Sequence, residues 1–340
     1  MKVTIKDVAE LAKVHKSTVS RVLNNSNDVK EKTKQKVLQA IDTLGYSPNF
    51  AARSLASGKS HIIGFVVSEQ QISDVVMNPS FPTILKGITT YAEELGYNIL
   101  MITSVDNDYK SYEQVIRKHA VDGFIILGST IQIDLNELLI QQGIPYIFIG
   151  KHHESADESY VGTDNIEGGY IAAKHLIDLG HTDIRLMVGQ VRSQKILSHN
   201  IDRITGFKKA FAEAGLSFRD DYIVKTPTDM ETGYHFMRTY FTSHEPSAVI
   251  LSNEVMAMSC INYLSDERPD LLERMSIVTF GDSDFFRHLR PPLTTVSQHF
   301  EWIGRTAVEM LASQIAEDDM STKAVVRKPD LVIRSSSKRK

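Results

Sequence analysis

The sequence predicts an α/β protein in which a small N-terminal helix-turn-helix head precedes a body of two doubly wound parallel-sheet halves. Three observations predict it. The first 45 residues carry apolar side chains at helical spacing in three short segments. Beyond residue 60, apolar strand-like runs alternate with helical stretches, as in parallel sheets covered on both faces. The charge is also divided. Residues 1–60 hold eleven Lys/Arg against five Asp/Glu, a net of +6, and the remainder carries −10 of an overall −4. A basic head on an acidic body suits a head that meets a polyanion, although a cluster of solvated charges would look the same.

In the head, Thr4 is placed to cap a first helix over 4–12, with Asp7 answering it three residues later. Ile5, Val8, Ala9, Leu11 and Ala12 form its apolar stripe. After a break at 13–15, a second helix over 16–23 has Val19, Val22 and Leu23 on one side. Lys16, Ser17, Thr18, Ser20 and Arg21 lie on the other. A third helix over 31–44 turns Val37, Leu38, Ile41 and Leu44 inward and stops at Gly45. Such a unit lays its second helix in the major groove, where Arg21 could pair bidentately with a guanine. A three-helix bundle that binds protein, or nothing, fits the same pattern.

Residues 48–60 are small and polar and read as a linker, or as two turns of helix over 49–57 too short to persist alone. Leu55 would then have no core to enter. In the body, strands are expected over 62–67, 97–103, 123–127, 145–149, 184–188, 248–251 and 277–280. Helices are expected over 83–95, 112–119, 168–179, 204–214 and 255–264. Sheets of this kind bind ligands at the carboxyl ends of their strands, so the cleft between the halves is the expected pocket.

Other classes are excluded or disfavoured. A composition 42% apolar and 24% charged is that of a globular protein. No apolar run is long enough to cross a bilayer, so no membrane partner is expected. Lys6, Asp7 and Glu10 interrupt what would be the apolar core of a signal peptide, which leads us to expect a cytoplasmic protein. A lone Cys260 supplies neither an intrachain disulfide nor a multi-cysteine metal site. G-x-G-x-x-G, the P-loop, G-x-S-x-G and H-E-x-x-H are all missing, so no enzyme and no cofactor are expected. His152-His153-Glu154 reads as a solvated loop rather than a metal site, because adjacent histidines in a strand point to opposite sides. Gly168-Gly169 fits either an anion seat or close helix packing. No leucine heptad follows residue 320, and Lys338-Arg339-Lys340 reads as a solvated tail.

The run Val3-Thr4-Ile5-Lys6-Asp7-Val8-Ala9 through Ser17-Thr18-Val19-Ser20-Arg21-Val22-Leu23-Asn24 closely resembles the start of the LacI/GalR family of bacterial transcription regulators. Gly45-Tyr46-Ser47-Pro48-Asn49 and Ala51-Ala52-Arg53-Ser54-Leu55 continue the likeness. In the body it extends through Asp164-Asn165, Leu179-Gly180-His181, Asp202-Arg203-Ile204-Thr205-Gly206-Phe207 and Pro291-Pro292-Leu293-Thr294-Thr295-Val296. The resemblance implies a periplasmic-binding-protein-like body, a homodimer, a near-palindromic operator in double-stranded DNA and a small effector in the cleft. It implies that Lys16, Ser17 and Arg21 reach bases and that Thr4, Thr18, Ser20, Asn24 and Asn49 hold the DNA backbone. Tyr46, Ala52 and Arg53 join that DNA-binding set, and Leu55 of a hinge helix wedges between base steps in the minor groove. His15 stands where the family usually has a hydroxyl that caps the recognition helix and touches a phosphate.

The expected domains are a helix-turn-helix head at 1–47, a hinge at 48–60 and an effector-binding and dimerisation domain at 61–340. Its first subdomain is expected at about 61–161 and 291–318, its second at about 162–290 and 319–335. Within the family, Asn78-Pro79-Ser80-Phe81-Pro82-Thr83-Ile84-Leu85-Lys86-Gly87-Ile88 and Ile149-Gly150-Lys151 look like the maltose-operon repressors of Gram-positive bacteria. That likeness implies maltose or a maltodextrin as effector. Phe81 would stack on the sugar, and Lys151, Asp164, Arg203, Glu254 and Asp282 would supply polar contacts. Core packing for Phe81 and a structural ion pair for Arg203 remain open. The alternatives are a catabolite-control regulator with a phosphoprotein corepressor, an exported sugar-binding protein without DNA function, and a sugar-processing enzyme.

Overall fold

A computed structural model describes residues 3–23, 28–46, 59–68, 79–104, 114–116, 118, 120–127, 133–151, 158–190, 196–317 and 321–340. The chain divides into two compact units, Met1–Ser60 and His61–Lys340. The hinge expected at 48–60 lies, apart from Lys59 and Ser60, outside the described residues, as do His152-His153-Glu154 and residues 112, 113, 117 and 119 of the helix expected over 112–119.

The head consists of α1 (Ile5–Ala12), α2 (Lys16–Leu23) and α3 (Glu31–Leu44). Val8, Val19 and Val37, one from each helix, are fully buried and form its centre. The Asp7 carboxylate accepts hydrogen bonds from the Thr4 amide at 2.7 Å and the Thr4 hydroxyl at 2.8 Å, which fixes the start of α1. Gly45, at φ 57°, ends α3. Leu38, expected inside, is 42% exposed. It lies one residue, or about 100°, round the helix from Val37, and Ala40 takes an inner position instead, beside the expected Ile41 and Leu44.

The body holds two six-stranded sheets. The first comprises β1 (Ile62–Ser68), β2 (Asn98–Ser104), β3 (Gly123–Leu127), β4 (Tyr146–Ile149), β5 (Tyr160–Thr163) and β11 (Ala324–Arg327), in the order β11-β5-β4-β3-β1-β2. All its pairings are parallel. The second comprises β6 (Ile184–Gly189), β7 (Ile223–Thr226), β8 (Ala248–Leu251), β9 (Ser276–Phe280), β10 (Thr294–Ser297) and β12 (Asp330–Val332), in the order β12-β10-β9-β8-β6-β7. It is parallel except for β12, which runs antiparallel to β10. The central strands β3, β4, β6, β8 and β9 are buried along their whole length, which is why they read as unbroken apolar runs.

The covering helices are α4 (Phe81–Glu94), α5 (Ile133–Gln141), α6 (Asn165–Asp178), α7 (Ser198–Glu213), α8 (Met230–Ser243), α9 (Glu254–Glu267), α10 (Pro269–Arg274) and α11 (Phe300–Glu317). The chain passes between the sheets three times, at Asp164, at Gln298-His299 and at Lys328-Pro329. These crossings differ from the expected subdomain limits. Thr294–Ser297, placed in the first subdomain by the sequence reading, belongs to the second sheet, and Ala324–Arg327 belongs to the first. The family-like Pro291–Val296 segment therefore precedes the return crossing instead of marking it.

One further expectation changes, and one open pair of alternatives is decided. The C-terminal residues are not a free tail. The Lys338 amide donates to Ser276 Oγ at 2.9 Å, its carbonyl lies 2.9 Å from His181 Nε2, and the Lys340 amide donates to the Leu179 carbonyl at 3.1 Å. Gly168 and Gly169 are packing residues. A Cβ on Gly169 would run into the Arg203 carbonyl, and one on Gly206 into the Ile166 carbonyl, so the pair lets α6 and α7 cross with their backbones in contact. Gly87 and Gly304 do the same for α4 and α11 in the first subdomain. A Gly206→Ala substitution should lower stability by about 1–3 kcal/mol, because the added methyl meets backbone that cannot move aside. Denaturant unfolding of the two proteins measures it, and an unchanged midpoint would refute the close contact.

Candidate functional sites

On the head, Lys16, Ser17 and Arg21 of α2 are exposed and Thr18 and Ser20 are partly so, while Val19 and Val22 anchor the opposite face in the core. The recognition face is thus free to meet a duplex. His15 occupies the N-cap position of α2. Its Nδ1 lies 2.9 Å from Ser17 Oγ and 3.4 Å from the Ser17 amide, so the imidazole replaces the usual capping hydroxyl. The Thr4 hydroxyl is committed to Asp7, and the Thr4 amide together with that hydroxyl holds the carboxylate below its ordinary range. Tyr46 packs, half-buried, against the head core. Asn24, Asn49, Ala52, Arg53 and Leu55 lie outside the described residues.

In the body, the carboxyl ends of the strands face a pocket of about 440 Å³ between the two subdomains. Ser80 and Thr83 at the start of α4, Phe300, Glu301, Trp302 and Arg305 at the start of α11, and Arg327 at the end of β11 line it from the first side. Asp282 and Ser297 line it from the second, and the crossing residues Gln298 and His299 close its base.

Glu254 begins α9 and is 1% exposed. Across the subdomain boundary, Ser80 Oγ donates to its Oε2 at 2.5 Å, and on its own side the Ser283 amide donates to its Oε1 at 3.0 Å. Burial pushes its carboxyl up to about 7, against these two hydrogen bonds, which pull it down. A second bond joins the subdomains where Ser198 Oγ donates to the Lys151 carbonyl at 3.1 Å.

Of the six effector residues expected from the sequence, Asp282 alone lines this pocket, and Glu254 borders it through Ser80. Asp282 is already engaged, 2.8 Å from Arg334 and accepting from Thr295 at 2.8 Å. Phe81 is a core residue, 6% exposed and stacked on Phe65 at 6.3 Å, so it offers no platform to a sugar. Asp164 caps α6 by accepting from the Glu167 amide at 2.9 Å. Lys151 is exposed at the end of β4.

Arg203 is 3% exposed. It donates to Asn165 at 3.0 Å and to the Ser252 carbonyl at 2.6 Å, and it lies over the Phe280 ring at 3.9 Å. Burial pulls its guanidinium down to about 9, which still leaves it charged at neutral pH. It holds α7 against the strand ends rather than presenting its fork to the pocket. Phe300, Trp302, Arg305 and Arg327 were missed. The chain's single tryptophan just beyond a predicted sheet crossing was the one available signal. Among the described residues no group of three His, Cys, Asp or Glu side chains could hold a metal, and no helix is long and apolar enough to cross a membrane.

Glu254 should make stability fall as pH rises. An ordinary glutamate ionises near 4.5 and the folded Glu254 near 7, so between these values the folded chain keeps a proton that the unfolded chain has lost. The shift corresponds to about 3 kcal/mol, lost through that window and constant above it. Glu254→Gln cannot ionise, so its stability relative to the native sequence should improve from about pH 4.5 to about pH 7. Denaturant unfolding at the two ends of the window measures this, and a difference independent of pH would contradict it.

Comparison with known proteins agrees with this geometry. Residues 4–49 match the model of bacterial regulatory proteins of the lacI family, and residues 173–337 that of the periplasmic binding protein-like domain. The chain is 31% identical over 339 residues to the HTH-type transcriptional repressor PurR of Photobacterium profundum, covering 98% of each. A complex of the transcriptional regulator CelR with cellobiose is similar with a TM-score of 0.72 and 27% identity, over 98% of this chain and 99% of that one. A LacI family transcriptional regulator from Enterococcus faecium with bound ribose has a TM-score of 0.71 and 25% identity, over 82% of this chain and 99% of that one. The chain belongs to the lacI family of bacterial regulatory proteins. It is a DNA-binding transcriptional repressor and not an enzyme.

Proposed function

We propose that this lacI-family repressor responds to a sugar of the maltose or maltodextrin type, bound in the cleft, and leaves its operator when that sugar binds. The observation that carries the reading is the Ser80–Glu254 hydrogen bond, which closes the subdomains on each other beside a pocket of sugar size. A polyol has hydroxyls to replace the Ser80 bond, and Phe300 and Trp302 at the pocket wall give it aromatic faces in place of Phe81. The cellobiose and ribose complexes of the relatives support a sugar as ligand. The likeness of residues 78–88 and 149–151 to maltose-operon repressors supports the maltose type, whereas a relative matched over 98% of each chain carries the name PurR.

In this reading the protein is a cytoplasmic homodimer. The two heads occupy successive major-groove half-sites of a near-palindromic operator, and the hinges with Leu55 open the minor groove between them. The sugar binds one relative pose of the subdomains better than the other, and a coupling of about 1–3 kcal/mol changes operator affinity about 5–150-fold.

A thermal-shift screen of mono- and disaccharides tests the effector. A true ligand at about 100 times its Kd adds about 2.7 kcal/mol of stability and should release the operator at the same concentration. If no sugar moves either the melting temperature or the operator affinity, the sugar reading is wrong. Arg21→Ala should cost about 1–3 kcal/mol on the operator and little on random duplex, measured by fluorescence anisotropy. Equal losses on both would remove Arg21 from base reading.

A further inference from the structure

We propose that the sugar carries a phosphate group, and that Arg305 and Arg327 hold it. The inference rests on the cleft being the effector site and comes from the charge balance of the pocket wall. Five ionisable side chains line it: Asp282, His299, Glu301, Arg305 and Arg327. Asp282 is matched by Arg334 at 2.8 Å, and Glu301 by Lys86 at 2.9 Å. His299 lies 3.0 Å from the Asp330 carboxylate. Arg305 and Arg327 have no such match: among the described residues neither is in ion-pair range of a carboxylate.

Each guanidinium rests on an aromatic ring instead, Arg305 over Tyr91 at 4.6 Å and Arg327 over Trp302 at 5.2 Å. Stacking on a ring leaves the in-plane N–H donors of an arginine free, and that planar fork matches phosphate oxygens. The pocket therefore carries two unneutralised positive charges. A neutral disaccharide would leave both uncompensated. A phosphate monoester, at a charge of about −1.5 to −2 near neutral pH, balances both, and a single carboxylate balances one. The first turn of α11, from Phe300 to Trp302, forms part of the same wall and adds backbone N–H groups suited to an anion. Trp302 sits beside Arg327 and lines the same wall as Arg305, so the sugar ring and its phosphate are served from one side of the cleft.

The test uses the full-length protein and four probes: maltose, maltose 6′-phosphate, maltobionate and inorganic phosphate. Affinity is read by calorimetry and operator release by fluorescence anisotropy. Maltose 6′-phosphate should bind about tenfold or more tighter than maltose, with maltobionate between them. In an Arg305→Gln/Arg327→Gln double variant the two maltose forms should bind alike. Both side chains are exposed, and the ligand-free melting temperature and operator affinity of the variant check that the fold is intact.

Equal affinity for maltose and its phosphate in the native sequence overturns the phosphate site but leaves the sugar reading standing. A preference for the phosphate that survives in the double variant overturns the assignment to these two arginines. If inorganic phosphate binds and the double variant loses it, while no maltose form binds, the phosphate site holds and the maltose reading falls. Absence of binding by all four probes overturns the phosphate site.

Discussion

A carboxylate removed from water must be satisfied by its neighbours or neutralised, and Glu254 is placed where two separately packed bodies have to share that task. Ser283 serves it from its own side and Ser80 from across the boundary. That second bond, with the one from Ser198 to the Lys151 carbonyl, joins the subdomains. A ligand that displaced Ser80 without offering a donor would leave a buried acceptor unmatched, at a cost of about 1–3 kcal/mol. In the effector reading proposed above, the group that joins the two subdomains would favour a ligand that offers a hydroxyl in return.

The position of Ser80 is itself a packing result. It stands at the start of α4, and α4 lies against α11 with no side chain between them at Gly87 and Gly304. The same contact fixes where Phe300, Trp302 and Arg305 emerge, because they occupy the first turns of α11. Both walls on the first side of the pocket are thus set by one glycine-lined crossing. The second subdomain repeats the device with Gly169 and Gly206, which hold α7 and its Arg203 against the strand ends.

Much of the fold was legible because the buried strands are short apolar runs and the head follows helical periodicity. Less legible were the edge and crossing strands. Ile223–Thr226 and Ala324–Arg327 are four residues each and partly exposed, so they carry no apolar run to recognise. The recognition face of the head could be read residue by residue, because exposed polar side chains on a helix of known periodicity have few other places to go. The cleft could not. Phe81, Asp164 and Arg203 are of types that serve a ligand or the fold equally well; burial separates the two for Phe81 and Arg203, and a helix-capping bond accounts for Asp164. Arg305 and Arg327 come from distant segments that only the fold brings together.

The three passages between the sheets are each one or two residues long. Three short struts side by side behave as a flexure: they are stiff to sliding and to pulling apart, and compliant mainly in bending. Any relative motion of the lobes that these struts permit would therefore be a rocking, in which a small change in the gap at the mouth becomes a larger swing at the far ends of the lobes.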